Sequence, residues 1–162
     1  MSHWKKMIKY LYTDIVFQEV PDEVSLAIAI SGCQIRCKGC HSRELWEDKG
    51  TVLGLTELQW LLNNNQGITC LLLMGGEHDI DGLIELFEYA HERNLKTAWY
   101  SGLDVVNRGD VRIYKHLDYI KLGHYDMELG GLKSPTTNQR LYKLSYSDEL
   151  KKEDITFKLQ KK

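Results

Sequence analysis

Cys33, Cys37 and Cys40 fall within one short stretch as C-x3-C-x2-C, directly after an apolar run. Thiols at this spacing can surround one cubane-sized metal centre, yet three of them do not complete it. An iron–sulfur cluster ordinarily takes four cysteines. Three protein ligands and one open position form the arrangement that lets a metal act on a bound molecule. Arg36 and Lys38 lie between the cysteines and would balance the negative charge of a thiolate-bound cluster. Two other chemistries use the same residues. A ferredoxin-type electron carrier needs a fourth nearby cysteine, and the sequence has none. A zinc-stabilised module needs a fourth ligand such as His41, Cys70 or His3. His41 adjoins Cys40, so one ion takes both only with a strained loop. Cys70 lies in ITCLLLM, which reads as a buried strand, and would have to leave it.

A second candidate is Gly75-Gly76-Glu77, at the end of that strand. Paired glycines let a ligand approach the backbone closely. A carboxylate beside them can accept hydrogen bonds from an ammonium group. Taken alone, the same residues also describe an ordinary solvated turn. Next to a three-cysteine cluster they gain a chemical purpose.

The elements that must position these groups follow from periodicity. Residues 8–18 (IKYLYTDIVFQ) alternate and read as extended strand, and 24–31 (VSLAIAIS) as a buried strand that delivers the cysteine loop. Residues 55–64 have helical spacing with Thr56 as N-cap, 68–74 form a buried strand, and 80–93 an amphipathic helix. Residues 95–100 form a strand, 105–116 a helix interrupted at Gly109, and 117–122 a strand. Beyond His124 a loop leads to a strand at 141–146, then a charge-rich tail at about 148–162 with a short strand at 155–159. Alternating strands and helices imply a parallel sheet with helical crossovers. In such α/β folds chemistry gathers at the C-terminal strand ends. The cysteine loop, the Gly75–Glu77 turn, Ser101-Gly102 and Gly123-His124 all fall at such ends.

Composition sets outer bounds. The 162 residues suit a single domain, 43% hydrophobic and 27% charged, with a formal net charge of -2. No basic field suggests nucleic acid or a membrane surface. The opening MSHWKKMIKY has no apolar core of a signal peptide, so a cytoplasmic location is expected. The clustered cysteines are too close in sequence to staple much of the chain by disulfides, and Cys70 reads as a small buried hydrophobe.

Taken together, the chain resembles the radical S-adenosylmethionine (SAM) superfamily. Within it, the chain is similar to the family of activating proteins of anaerobic ribonucleoside-triphosphate reductases, the glycyl-radical enzyme activases. The matching stretches are SGCQIRCKGCH at 31–41, MGGE at 74–77, WYSG at 99–102, NQR at 138–140 and DIV at 14–16. His78 stands where a proline is frequent in the family, and QEVPDE at 18–23 lacks glycines often found there. A small-molecule enzyme resembling 7-carboxy-7-deazaguanine synthase is the alternative within the superfamily.

The resemblance implies an α/β fold, an incomplete (β/α) barrel open on one side. It implies that Cys33, Cys37 and Cys40 hold three irons of a 4Fe-4S cluster, and that SAM fills the fourth position. Gly75 and Gly76 would lie along its methionine part, with Glu77 taking its ammonium. Gly39, Cys40 and His41 would meet the adenine through their backbone, and Ser101 a ribose or carboxylate group. The chemistry would be borne by the cofactors, with no separate catalytic side chain. A reduced donor such as flavodoxin would supply the electron. A closed barrel takes about 250 residues, and the chain from Ser25 onward suffices for about four or five βα units. A site left open on one side favours a protein substrate: a glycine in a loop of the partner reductase.

Overall fold

The computed structural model describes residues 7–33, 35–37, 40 and 42–160. In chain order the elements are β1 (Lys9–Val16), β2 (Ser25–Ile30), β3 (Thr51–Val52), α1 (Leu55–Asn63), β4 (Cys70–Met74) and α2 (Ile80–Glu92). There follow β5 (Lys96–Tyr100), β6 (Tyr119–Leu122), β7 (Arg140–Tyr146) and β8 (Leu150–Asp154). Short 3-10 segments cover Arg43–Trp46, Arg108–His116 and Thr156–Leu159. All eight strands join one sheet in the order β3-β1-β2-β4-β5-β6-β7-β8.

The four central strands are parallel. SLAIAI in β2 is buried throughout, as is most of CLLLM in β4. A strand covered on both faces carries such a continuous apolar run. Register pairs Ala29 with Met74, Met74 with Tyr100 and Tyr100 with Lys121. The residues that follow these positions therefore emerge side by side on one rim.

The expected incomplete (β/α) barrel is not the fold. The sheet is open and mixed, because only the three connections among β2, β4, β5 and β6 are parallel crossovers. On one flank β1 pairs antiparallel with β2 and β3. On the other, β7 pairs antiparallel with β6 and β8. Antiparallel neighbours need only a short link, and residues 147–149 suffice between β7 and β8. The charge-rich tail is thus a strand and a 3-10 turn, and the strand expected at 155–159 is that turn. Its charges serve the edge: β8 is LKKED and almost wholly exposed, and charged edge strands resist further pairing. Two helical details also differ. Gly54, not Thr56, caps α1, and the helix expected at 105–116 is a 3-10 segment.

Side chains alternate between two cores. On one face Leu58, Leu61 and Leu62 of α1 and Leu83, Leu86, Phe87 and Ala90 of α2 pack with Leu26, Ile28, Leu71, Leu73, Trp99 and Ile120. On the other, Ala27, Cys70, Leu72, Ala98, Tyr119 and Leu141 meet Val20 and Ile155. Among the described residues no helix is long and apolar enough to cross a membrane.

Cys70 is fully buried, as its strand position predicts, and burial pushes its thiol up to about 12. In the unfolded chain the thiol ionises near its ordinary value of about 8.5. Above that pH the unfolded state loses a proton that the folded state keeps, so stability falls toward pH 12. Cys70→Ala should flatten the alkaline stability profile by up to about 1.4 kcal/mol per pH unit, measured by urea unfolding across this range.

Candidate functional site

The rim is assembled from four loops. Gly32 leaves β2 with φ +82, a left-handed conformation that glycine adopts without strain. Its N–H donates to Glu47 O (3.0 Å) and that of Cys33 to Leu45 O (2.8 Å), which tie the cysteine loop to the Arg43–Trp46 turn. The guanidinium groups of Arg36 and Arg43 lie 5.6 and 5.5 Å from the Trp46 ring centre. Ile35 seats the loop against the Ser101-Gly102 turn. A Cβ on Gly102 would lie 2.7 Å from Ile35 Cδ1, so a larger residue there would push the Ile35 side chain aside.

Cys33, Cys37 and Cys40 are partly exposed and carry free thiols. Two of their sulfurs accept backbone hydrogen bonds. Tyr125 N–H donates to Cys37 Sγ (3.2 Å) and Ser42 N–H to Cys40 Sγ (3.3 Å). Gly39 and His41 lie outside the described residues, as does His3.

In the Gly75–Glu77 turn both glycines are left-handed, with φ +102 and +87. A Cβ on Gly76 would lie 2.8 Å from Leu83 Cδ2. Backbone conformation and packing alone thus account for glycine there. Trp99 Nε1 donates to Gly75 O (2.7 Å) and pins the turn from the core. Glu77 Oε2 accepts from Ser101 Oγ (2.8 Å) and Gly102 N–H (3.2 Å). The buried Ser101 hydroxyl also accepts from Leu103 N–H (3.0 Å), so it braces Glu77 across the rim. His78 lies against the start of the cysteine loop: its Cε1 is 3.6 Å from where a Gly32 Cβ would stand.

Lys121 completes the arrangement, and sequence reasoning passed over it. It is 8% exposed, its Nζ donates to Gly123 O (3.2 Å), and it sits 5.7 Å from the Tyr100 ring centre. Burial lowers its pKa to about 8, with Glu77, Cys37 and Cys33 acting in the opposite direction. Lys121 O also accepts from Ser101 N–H (2.9 Å), so this lysine adjoins the turn that braces Glu77. The available signal was a lone lysine in an otherwise apolar strand, YIKL.

Two clefts open beside these groups. One of about 400 Å³ borders Cys37 and is lined by Ile35, His124, Tyr125, Asp126, Met127 and Glu128. A larger one of about 580 Å³ borders Glu77 and His78 at the start of α2. The smaller is the one next to a cysteine.

Among the described residues no three His, Cys, Asp or Glu side chains stand close enough to hold a single metal ion. A four-iron cluster is larger than one ion and its ligands stand further apart. Partly exposed thiols, N–H donors aimed at two sulfurs and a buried ammonium nearby form a donor set suited to an anionic thiolate cluster. A family model described as a 4Fe-4S single cluster domain matches residues 24–143. No curated protein and no solved structure matches the chain.

Proposed function

The chain belongs to the 4Fe-4S single cluster domain family, and we propose that it is a radical SAM activating enzyme. In this reading SAM is reductively cleaved and a glycyl radical is left on a partner, the anaerobic ribonucleoside-triphosphate reductase. Cys33, Cys37 and Cys40 would hold the cluster. When bound and reduced, the cluster would supply one electron to SAM and an open iron for its amino and carboxylate groups. One electron, SAM and the glycine then yield methionine, 5′-deoxyadenosine and a glycine that has lost one Cα hydrogen atom. The electron would come from a reduced one-electron donor such as flavodoxin.

The observation that carries this reading is the meeting of the cysteine loop, Glu77 and Lys121 on one rim. Ser101 and Gly102 hold one Glu77 oxygen, which orients the carboxylate to receive an ammonium. Lys121, at the end of β6 on the same rim, would offset a ligand carboxylate. Ile35 and Gly102 seat the loop at a fixed distance from the carboxylate turn. The exposed side chains of Val105 and Met127 suit a site approached by another protein.

Glu77→Gln should raise the SAM concentration at half-maximal cleavage by about 10- to 100-fold, the loss of a charge-assisted hydrogen bond of about 1.5–3 kcal/mol. Iron and sulfide content should not change. The activase assignment is tested by mixing the loaded protein with the reductase, SAM and a reductant without oxygen. A glycyl-radical electron paramagnetic resonance signal that requires SAM and Cys37 is expected. SAM cleavage with no radical on the partner would contradict the assignment.

A further inference from the structure

The stretch at 138–140 (NQR) supports the resemblance but has no role yet at the site, and two of its side chains reach the rim. Gln139 Nε2 donates to Gly123 O (3.2 Å), and a Cβ on Gly123 would lie 2.9 Å from Gln139 Cα. Asn138 Nδ2 donates to His124 O (3.1 Å). On the near side of the same residue, Asp104 Oδ1 accepts from His124 N–H (3.1 Å) and lies 2.8 Å from His124 Nδ1. The peptide unit joining His124 to Tyr125 is thus held at its oxygen by Asn138. Its N–H is the donor to Cys37 Sγ at 3.2 Å.

We propose that Asn138 is a positioning residue that raises the reduction potential of a cluster bound through Cys37, acting across the His124–Tyr125 peptide. Two effects combine. The side-chain amide fixes the peptide plane so that its N–H is directed at the sulfur. A carbonyl that accepts a hydrogen bond also polarises its amide, which strengthens the N–H as a donor. Hydrogen bonds to cluster sulfurs are among the factors that set potential. They draw off negative charge and so favour the reduced, more negative form. Asn138 Oδ1 is buried and has no hydrogen-bond partner among the described residues. The proposal rests on Cys37 being a cluster ligand.

The test is a redox titration of the loaded full-length protein without SAM, followed by optical and paramagnetic signals. Asn138→Leu removes the donor and the unpaired oxygen at similar volume. Its reduction equilibrium should weaken about threefold, which is ~28 mV at ~59 mV per tenfold for one electron. Replacing the Tyr125 amide by an ester, through incorporation of the corresponding hydroxy acid, removes the N–H itself and should lower the potential further. A purely structural role for Asn138 would lower thermal stability or cluster content and leave the potential in place. An unchanged potential in Asn138→Leu with a full cluster would overturn the proposal, as would a shift in the ester variant alone. A complete cluster in Cys37→Ala would show instead that the ligand reading beneath it had failed.

Discussion

Cys37→Ala is expected to lose the iron–sulfur chromophore after anaerobic reconstitution and, with it, all cleavage of SAM. The Cys37 sulfur accepts the Tyr125 N–H, and the residue borders the 400 Å³ cleft. On the proposed ligand set, removing it would leave two cysteines where a cluster ordinarily takes four. Cys70→Ala is the internal control. That thiol is buried in β4 in the core facing away from both helices, so iron binding should persist and stability should change by about 1 kcal/mol. Iron and sulfide analysis of the two variants separates the roles. A Cys37→Ala protein that keeps a full cluster and still cleaves SAM would show the ligand assignment to be wrong.

Trp99 carries the largest expected effect on stability. It is fully buried among the helix-side core residues, and its ring N–H holds the Gly75 carbonyl. Trp99→Ala should cost about 3–5 kcal/mol, a large share of the roughly 5–15 kcal/mol of a typical domain. Trp99→Phe retains most of the apolar contact and leaves Gly75 O without its donor, costing about 1–3 kcal/mol. Urea midpoints at constant slope measure both. The phenylalanine variant should also weaken SAM binding, because Gly75 begins the turn that carries Glu77. A wild-type midpoint in Trp99→Phe would show that the hydrogen bond does not support the turn.

The parts of the fold that sequence made legible are those whose patterns are set by full burial. VSLAIAIS and CLLLM can be little else than interior strands, and the turns after them fall on one rim because those strands are parallel. The outermost strands, β3 and β8, were hidden for a physical reason. β8 is an edge strand whose LKKED needs almost no apolar contact, and β3 is two residues long, so neither leaves a period to detect. Without these antiparallel strands the alternation of β and α reads as a parallel sheet with helical crossovers, and the barrel came from the resemblance. The site divides in the same way. Cysteine spacing and the GGE triplet are local and visible in one dimension. Ser101 bracing Glu77 spans 24 residues, and Asn138 on His124 spans 14. Lys121 stands out only when its strand is known to be buried.

The central claim, that the position left open by three cysteines belongs to SAM, is tested most directly by one product. The protein is reconstituted with iron and sulfide without oxygen, reduced, and mixed with SAM, and 5′-deoxyadenosine is quantified by chromatography. Formation of 5′-deoxyadenosine and methionine in equal amounts, lost in Cys37→Ala, is the predicted result. A fully loaded, fully reduced protein that leaves SAM intact would contradict it.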